Sequence, residues 1–279
     1  NVAIGYESLL TQQTTGNGSA QLTFNTAVGD STGKNITTGV RNTIIGANAG
    51  DSLTTGTRNT AIGYLALSAE DTGSYSTAIG NQALANQDAG DAFNVAVGHN
   101  CGINVTTGTV NTLVGAFAGD ALTEGNTNVA VGYAALSAET LGDRNVAIGH
   151  GSLQSQNNTS DTDVYNVAVG YNAGNTMTTG VKNTLIGGLA GDALTTGQRN
   201  VAIGYNALTT EDAHGKNVAI GHEALRLLNA GVDGENVAVG YDTGKAMTTG
   251  IKNTIMGASA GDALTTGSNN TALGYSALS

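Results

Sequence analysis

The stretch Asn200-Val201-Ala202-Ile203-Gly204 is one of sixteen copies of a single five-residue pattern in this chain of 279 residues. Each copy, called the pentad below, has Asn (once Ser), Val or Thr, an apolar residue, Ile, Val, Leu or Met, and Gly. Such self-similarity at a short period predicts a solenoid, in which each repeat stacks on its neighbours. The copies begin at Asn1, Asn25, Asn42, Asn59, Ser76, Asn94, Asn111, Asn128, Asn145, Asn166, Asn183, Asn200, Asn217, Asn236, Asn253 and Asn270.

Eleven of the fifteen steps between pentads are 17 residues long, and the other four are 24, 18, 21 and 19 residues. The longer steps occur at every fourth coil, which adds a second period of about 70 residues to the first. The additional residues lie in four insertions, at 6–24, 81–93, 150–165 and 222–235. We therefore predict one repeat domain over residues 1–279, which is a segment of a longer chain.

The pentad predicts a short strand that is buried on both faces. Side chains alternate along a strand, so the second and fourth residues share one face, and we assign this face to the coil interior. The third residue is apolar in every copy and is Ala in twelve of them. Because Ala and Gly allow a close approach, we predict a subunit interface on the third-position face, with the larger residues as axial plugs. The residues assigned to this interface are Ile44, Leu113, Leu185, Ile255, Ala61, Ala130, Ala202 and Ala272.

Two further positions of the coil carry structural information. The leading Asn fits a turn, because its side chain can bond to nearby backbone groups, and stacked Asn residues can also form a ladder. The sequence leaves both interpretations open. An apolar residue such as Ile36 or Leu53 recurs after the pentad, and we interpret it as the start of a second short strand that closes the coil.

The composition excludes several classes of protein. The chain has 42 Gly, no Pro, no Trp and 11% charged residues, which favours a thin repetitive core over a rounded one. Its net charge of −11 argues against nucleic acid as a partner, because binding to phosphates needs basic patches. No apolar run reaches the length of a membrane span, so we expect no membrane insertion in this segment.

Seven of the ten basic residues stand immediately before a pentad, where they form a periodic edge. One interpretation is a solvated edge whose charges discourage sideways pairing of strands. The other is an edge that binds glycans. Aromatic residues take the same place in four coils and are predicted surface-contact residues, namely Phe24, Tyr75, Phe93 and Tyr165.

No arrangement of residues indicates catalysis or metal binding. Asp51, Asp120 and their equivalents recur only once in four coils, which is too far apart to share a calcium ion. The four His residues are scattered over different coil types, and Cys101 is a lone small residue. We therefore predict no catalytic, cofactor or metal residues, and a protein that is not an enzyme.

The pentad, followed by small residues and a Gly turn, resembles the head repeats of trimeric autotransporter adhesins and related repeats of bacteriophage tail-fibre proteins. The resemblance covers the whole chain. It implies a left-handed parallel β-roll with three chains side by side, in a rigid extracellular fibre on a virion or cell surface. Such a segment presents a receptor-binding part. The alternative is an adhesin head that itself binds host matrix or glycans, so the expected partners are the chain itself and a glycan or protein receptor.

Overall fold

The structure is a computed structural model that describes residues 1–13, 22–160 and 162–279. Every pentad forms a strand made of its second, third and fourth residues. The described residues contain no helix and form a parallel β-solenoid of about 15 turns with a spacing of about 17 residues. The predicted all-β solenoid of 17-residue coils is therefore confirmed.

Eighteen strands occur in the described residues, and sixteen of them coincide with pentads. The two others are β9 (Gly142–Asp143) and β11 (Thr162–Asp163). The pentad strands are β1 (Val2–Ile4), β2 (Thr26–Val28), β3 (Thr43–Ile45), β4 (Thr60–Ile62), β5 (Thr77–Ile79), β6 (Val95–Val97), β7 (Thr112–Val114), β8 (Val129–Val131), β10 (Val146–Ile148), β12 (Val167–Val169), β13 (Thr184–Ile186), β14 (Val201–Ile203), β15 (Val218–Ile220), β16 (Val237–Val239), β17 (Thr254–Met256) and β18 (Thr271–Leu273).

The strands belong to two compact units, the first with β1 to β9 and the second with β10 to β18. Within each unit, consecutive pentad strands pair in parallel and in chain order. Each pentad residue pairs with the same position of the next pentad, as in Leu185 with Ala202 and Ile186 with Ile203. The uniform register places equivalent side chains in continuous columns.

A glycine ends every pentad because neighbouring coils approach closely there. Gly187 has a φ of 132°, outside the range that suits other residues, and a methyl group on its Cα would lie 2.5 Å from the carbonyl oxygen of Gly204. The same contact recurs from coil to coil, which explains why no other residue type fills the fifth position.

Apart from β9 and β11, the described residues between pentads form turns, bends and irregular backbone, so the predicted second strand at Ile36 and Leu53 is wrong. Ile36 and Leu53 are fully buried, as expected for residues that close the coil, but each lies in irregular backbone directly after a turn. Backbone bonds to the next coil continue outside the strands, as from Leu208 N–H to the Ala224 carbonyl at 3.0 Å. The first insertion includes residues 14–21, which lie outside the described residues.

Candidate assembly surface

The third residue of the pentad lies inside the coil, which corrects the predicted orientation of the strand. Ala202 is fully buried within the single chain, whereas Val201 and Ile203 on the opposite face are half-buried. A side chain enclosed by its own chain has no surface to offer a partner. The interface prediction is therefore wrong for all eight residues, which are buried at 0–6% exposure: Ile44, Leu113, Leu185, Ile255, Ala61, Ala130, Ala202 and Ala272.

The larger third-position residues fill the interior of their own coils, and are not plugs on an axis between chains. Their space is provided by glycines at the eighth position after the leading Asn. A methyl group at Gly191 would lie 2.8 Å from Leu185 Cδ2, and one at Gly174 would lie 2.7 Å from Leu185 Cδ1. A coil that has Ala at the third position, and is not followed by a coil with a large third residue, carries Leu at the eighth position, as at Leu208.

The opposite face of the sheet is largely apolar, with Thr at eight of its second positions, and remains partly exposed. We call it the outer sheet face, and it consists of the second and fourth residues of every pentad. These positions hold Val or Thr and Ile, Val, Leu or Met, and their β-branched side chains stand in register along each unit. In a parallel sheet both faces are normally covered. Its exposed members away from the chain ends include Ile45 (37%), Ile148 (37%), Ile186 (37%) and Met256 (40%).

The leading Asn residues form a buried ladder, which decides between the two interpretations of this position. Asn200 Oδ1 accepts a hydrogen bond from the Asn217 backbone N–H at 3.0 Å. Its Nδ2 group donates to the His214 carbonyl at 3.0 Å, across the coil. In the second unit such bonds run without interruption from Asn145 to Asn270. The ladder satisfies backbone groups that the turns would otherwise leave unpaired.

The residue before each pentad lies on an exposed edge, which we call the pre-pentad edge. Its backbone is left-handed in coil after coil, with φ of 58° at both Arg58 and Arg199. Arg58 lies over the Tyr75 ring at 5.3 Å and donates to its hydroxyl at 2.6 Å. The predicted surface-contact residues are exposed on this edge, Phe24 at 58%, Tyr75 at 38%, Phe93 at 53% and Tyr165 at 47%.

Three glutamates that the sequence interpretation missed are fully buried at one position of the coil interior: Glu70, Glu139 and Glu211. Glu70 accepts hydrogen bonds from the Gly73 N–H at 2.7 Å and the Gln87 amide at 3.0 Å. Burial raises the pKa of the Glu70 carboxyl, and these bonds partly oppose that shift. The regular recurrence of Glu eleven residues after the leading Asn is the signal that could have revealed them.

Acidic and His side chains also converge near His222, where Glu223 and Asp242 have ligand atoms within 4.8 Å of each other and of the imidazole. The Lys245 ammonium forms ion pairs with both carboxylates, so a cation of the chain itself already offsets their negative charge. The expectation that the chain has no catalytic, cofactor or metal residues stays a prediction.

Comparison with protein-family models, curated proteins and solved structures finds no match for this chain. Among the described residues, no helix has the length and apolar character needed to cross a membrane.

Proposed function

We propose that this chain is a structural segment of an extracellular fibre, on a virion or cell surface, which presents a receptor-binding part. It assembles with copies of itself, as a homotrimer, through the outer sheet face. The observation that supports this proposal is the position of the apolar residues. The coil interior is already filled by the chain's own side chains, yet a second apolar face remains half-exposed in coil after coil.

A second copy of the chain is the occupant that best fits the outer sheet face. The ridges of this face repeat at the spacing of parallel strands, roughly 4.8 Å. Another copy has the same repeat and therefore matches the face over many coils, whereas an unrelated globular partner would match it only locally. The resemblance of the pentad to repeats of trimeric autotransporter heads and phage tail fibres supports three copies.

The alternative function is an adhesin head that binds matrix or glycans directly. The observation that favours it is the pre-pentad edge, where aromatic and basic side chains are exposed together. The two functions are compatible, because the pre-pentad edge and the outer sheet face use different residues of the coil.

The assembly is tested by measuring the native mass of the purified chain, for example by sedimentation equilibrium. We expect three times the chain mass of 27.7 kDa for the parent. The double variant Ile186→Asp/Ile203→Asp should give folded monomers, because assembly would bury two unpaired charges per chain.

The matched control is Thr179→Asp/Thr210→Asp, which adds the same charge at exposed turn positions and should leave the mass unchanged. A parent that stays monomeric at micromolar concentration would refute self-assembly. An unchanged mass for the Ile186→Asp/Ile203→Asp variant, with a folded circular-dichroism spectrum, would show that the outer sheet face is not the contact.

A further inference from the structure

The ten basic residues divide into two groups of five by whether they pair with a carboxylate. One group forms ion pairs with carboxylates: Lys34, Arg144, Lys216, Arg226 and Lys245. Among the described residues, the other group has no carboxylate partner. All of its members lie on the pre-pentad edge: Arg41, Arg58, Lys182, Arg199 and Lys252. In a chain of net charge −11, the cations without a carboxylate partner are thus concentrated on one edge.

Three of the edge cations stand on consecutive coils of the second unit. The Arg199 N–H bonds to the Val181 carbonyl at 3.1 Å, and the Lys216 N–H bonds to the Gln198 carbonyl at 3.1 Å. These bonds join the residue before one pentad to the segment before the preceding pentad. Lys182, Arg199 and Lys216 are therefore in register, and the row spans roughly 10 Å at the spacing of parallel strands.

Within the chain, only the Lys216 end of this row is neutralised, by Asp233. Like charges at this separation repel one another, and Lys182 and Arg199 have no carboxylate to offset the repulsion. All three side chains are exposed, so an external anion can reach them. An anionic ligand would remove the repulsion, whereas water only screens it.

A cleft of about 200 Å³ opens at this row. Its lining combines Arg199 and Lys216 with the polar side chains of Thr196 and Gln198, and with Asp233. Lys216 binds Asp233 at 2.8 Å, and the Gly215 N–H donates to the same carboxylate at 3.0 Å. The one acidic group of the cleft is thus neutralised, which leaves Arg199 as its free charge.

The size of the cleft indicates what it can hold. Its volume of about 200 Å³ is below the roughly 300–1,000 Å³ of pockets that enclose a drug-sized ligand, which suits a single sugar ring better than an entire ligand of that size. The ligand should therefore be an extended chain that inserts one unit and continues along the row.

We propose that Lys182, Arg199, Lys216 and this cleft bind a linear acidic polysaccharide whose sugars carry carboxylates. The planar guanidinium of Arg199 pairs with a carboxylate through two parallel hydrogen bonds. The Lys182 ammonium meets the next anionic group along the row, while Thr196 and Gln198 bond to sugar hydroxyls in the cleft. This site rests on the alternative function, in which the pre-pentad edge binds glycans, and does not depend on the proposed assembly.

A polysaccharide fits this row better than a nucleic acid does. A nucleic acid carries a phosphate at every nucleotide, and its affinity comes from many simultaneous contacts with basic residues. Three cations cannot provide these contacts, and the remaining charge of the chain, which is strongly negative, repels a dense polyanion. A polysaccharide spreads its charge between neutral rings, which the polar lining of the cleft can accept.

The test titrates the full chain, at low ionic strength, with an oligomer of galacturonic acid. A neutral galactose oligomer and a single-stranded oligonucleotide of similar length serve as comparison probes. We expect saturable binding of the acidic oligomer that weakens with added salt. Arg199→Gln should weaken it roughly tenfold or more, since a charge-assisted hydrogen-bonded pair is lost, and Lys182→Gln should weaken it less.

The matched control is Lys34→Gln, which removes the same charge from an ion pair with Glu7 away from the row and should bind like the parent. The proposal is overturned if the parent does not bind, or if Lys34→Gln loses as much affinity as Arg199→Gln. It is also overturned if the neutral oligomer or the oligonucleotide binds as tightly as the acidic oligomer. The mass of each sample is measured in parallel, so that failure to assemble is recognised separately from failure to bind.

Discussion

Leu208 has a φ of 52°, in a region of backbone conformation that leucine seldom occupies. Gly191 has a φ of 55° at the same position of the preceding coil, where the conformation has no steric cost. The turn thus has the same backbone conformation in both coils, and the space available in the coil interior determines whether Leu or Gly occupies this position. Leu208 is fully buried, and the burial of a leucine side chain, worth about 1.5–3 kcal/mol, offsets the strain of about 1–3 kcal/mol.

Asn200→Ala tests the buried ladder at the residue scale. The substitution leaves the Asn217 N–H and the His214 carbonyl without their partners. Each unpaired group costs about 1–3 kcal/mol, so the free energy of unfolding should fall by about 2–6 kcal/mol in urea titrations. The control Asn81→Ala removes an exposed amide and should change the stability by less than about 0.5 kcal/mol. Equal stabilities for the two variants would mean that the ladder only accompanies the turn.

At the scale of the coil, side-chain volume is exchanged between two positions. Where the third pentad residue is large, as at Leu185, glycines at the eighth positions of its own and the preceding coil leave room for it. Where Ala202 stands at the third position, Leu208 fills the space from the turn. Close packing requires this compensation, because an interior tolerates neither a void nor an excess methylene without cost.

A double-mutant cycle on Leu185 and Gly191 tests the exchange. Leu185→Ala should destabilise the chain by about 2–5 kcal/mol through a cavity, and Gly191→Leu should destabilise it by overpacking against Leu185. The double variant recreates the pairing of Ala202 with Leu208, so it should be more stable than the sum of the two single effects. Thermal or urea unfolding of the four proteins measures the coupling. Strict additivity would contradict the exchange.

At the scale of the whole molecule, every pairing between pentad strands within a unit joins consecutive pentads. Stability in such an array is approximately the sum of coil and nearest-neighbour terms. A defect should therefore weaken its own coil and the adjacent coils more than distant ones, unlike a defect in a rounded core.

Cys101 is a native probe of this behaviour. It is fully buried, and burial raises the pKa of its thiol to about 12. The thiolate is the reactive form, so iodoacetamide at pH 8 should not modify the folded chain and should modify it once its coil opens. Leu113→Ala, in the adjacent coil, should make Cys101 reactive at a lower urea concentration than Ile44→Ala, which lies several coils away. The same midpoint for both variants would indicate that the unit unfolds as one block.

The sequence by itself determined the repeat, the position of every pentad strand and the all-β class. Alternation along a strand places the second and fourth pentad residues on one face and the third on the other. The invariant Gly marks the place where neighbouring coils are too close for any side chain. The exposed edge of basic and aromatic residues was also predictable, because a charged group without a partner is costly to bury. Handedness, the homotrimer and the extracellular fibre function stay predictions.

Only the tertiary structure decided which strand face points inward. Alternation states that Val201 and Ile203 share one face and Ala202 the other, but both faces are apolar, so polarity does not distinguish inside from outside. The turn contains left-handed residues such as Asn206 and Leu208, whose backbone N–H groups bond to the preceding and the next coil respectively. Pattern in one coil does not reveal such bonds between coils. The buried glutamates followed for the same reason, since a charged residue is placed inside only when partners such as Gln87 and the Gly73 N–H of the folded coil reach it.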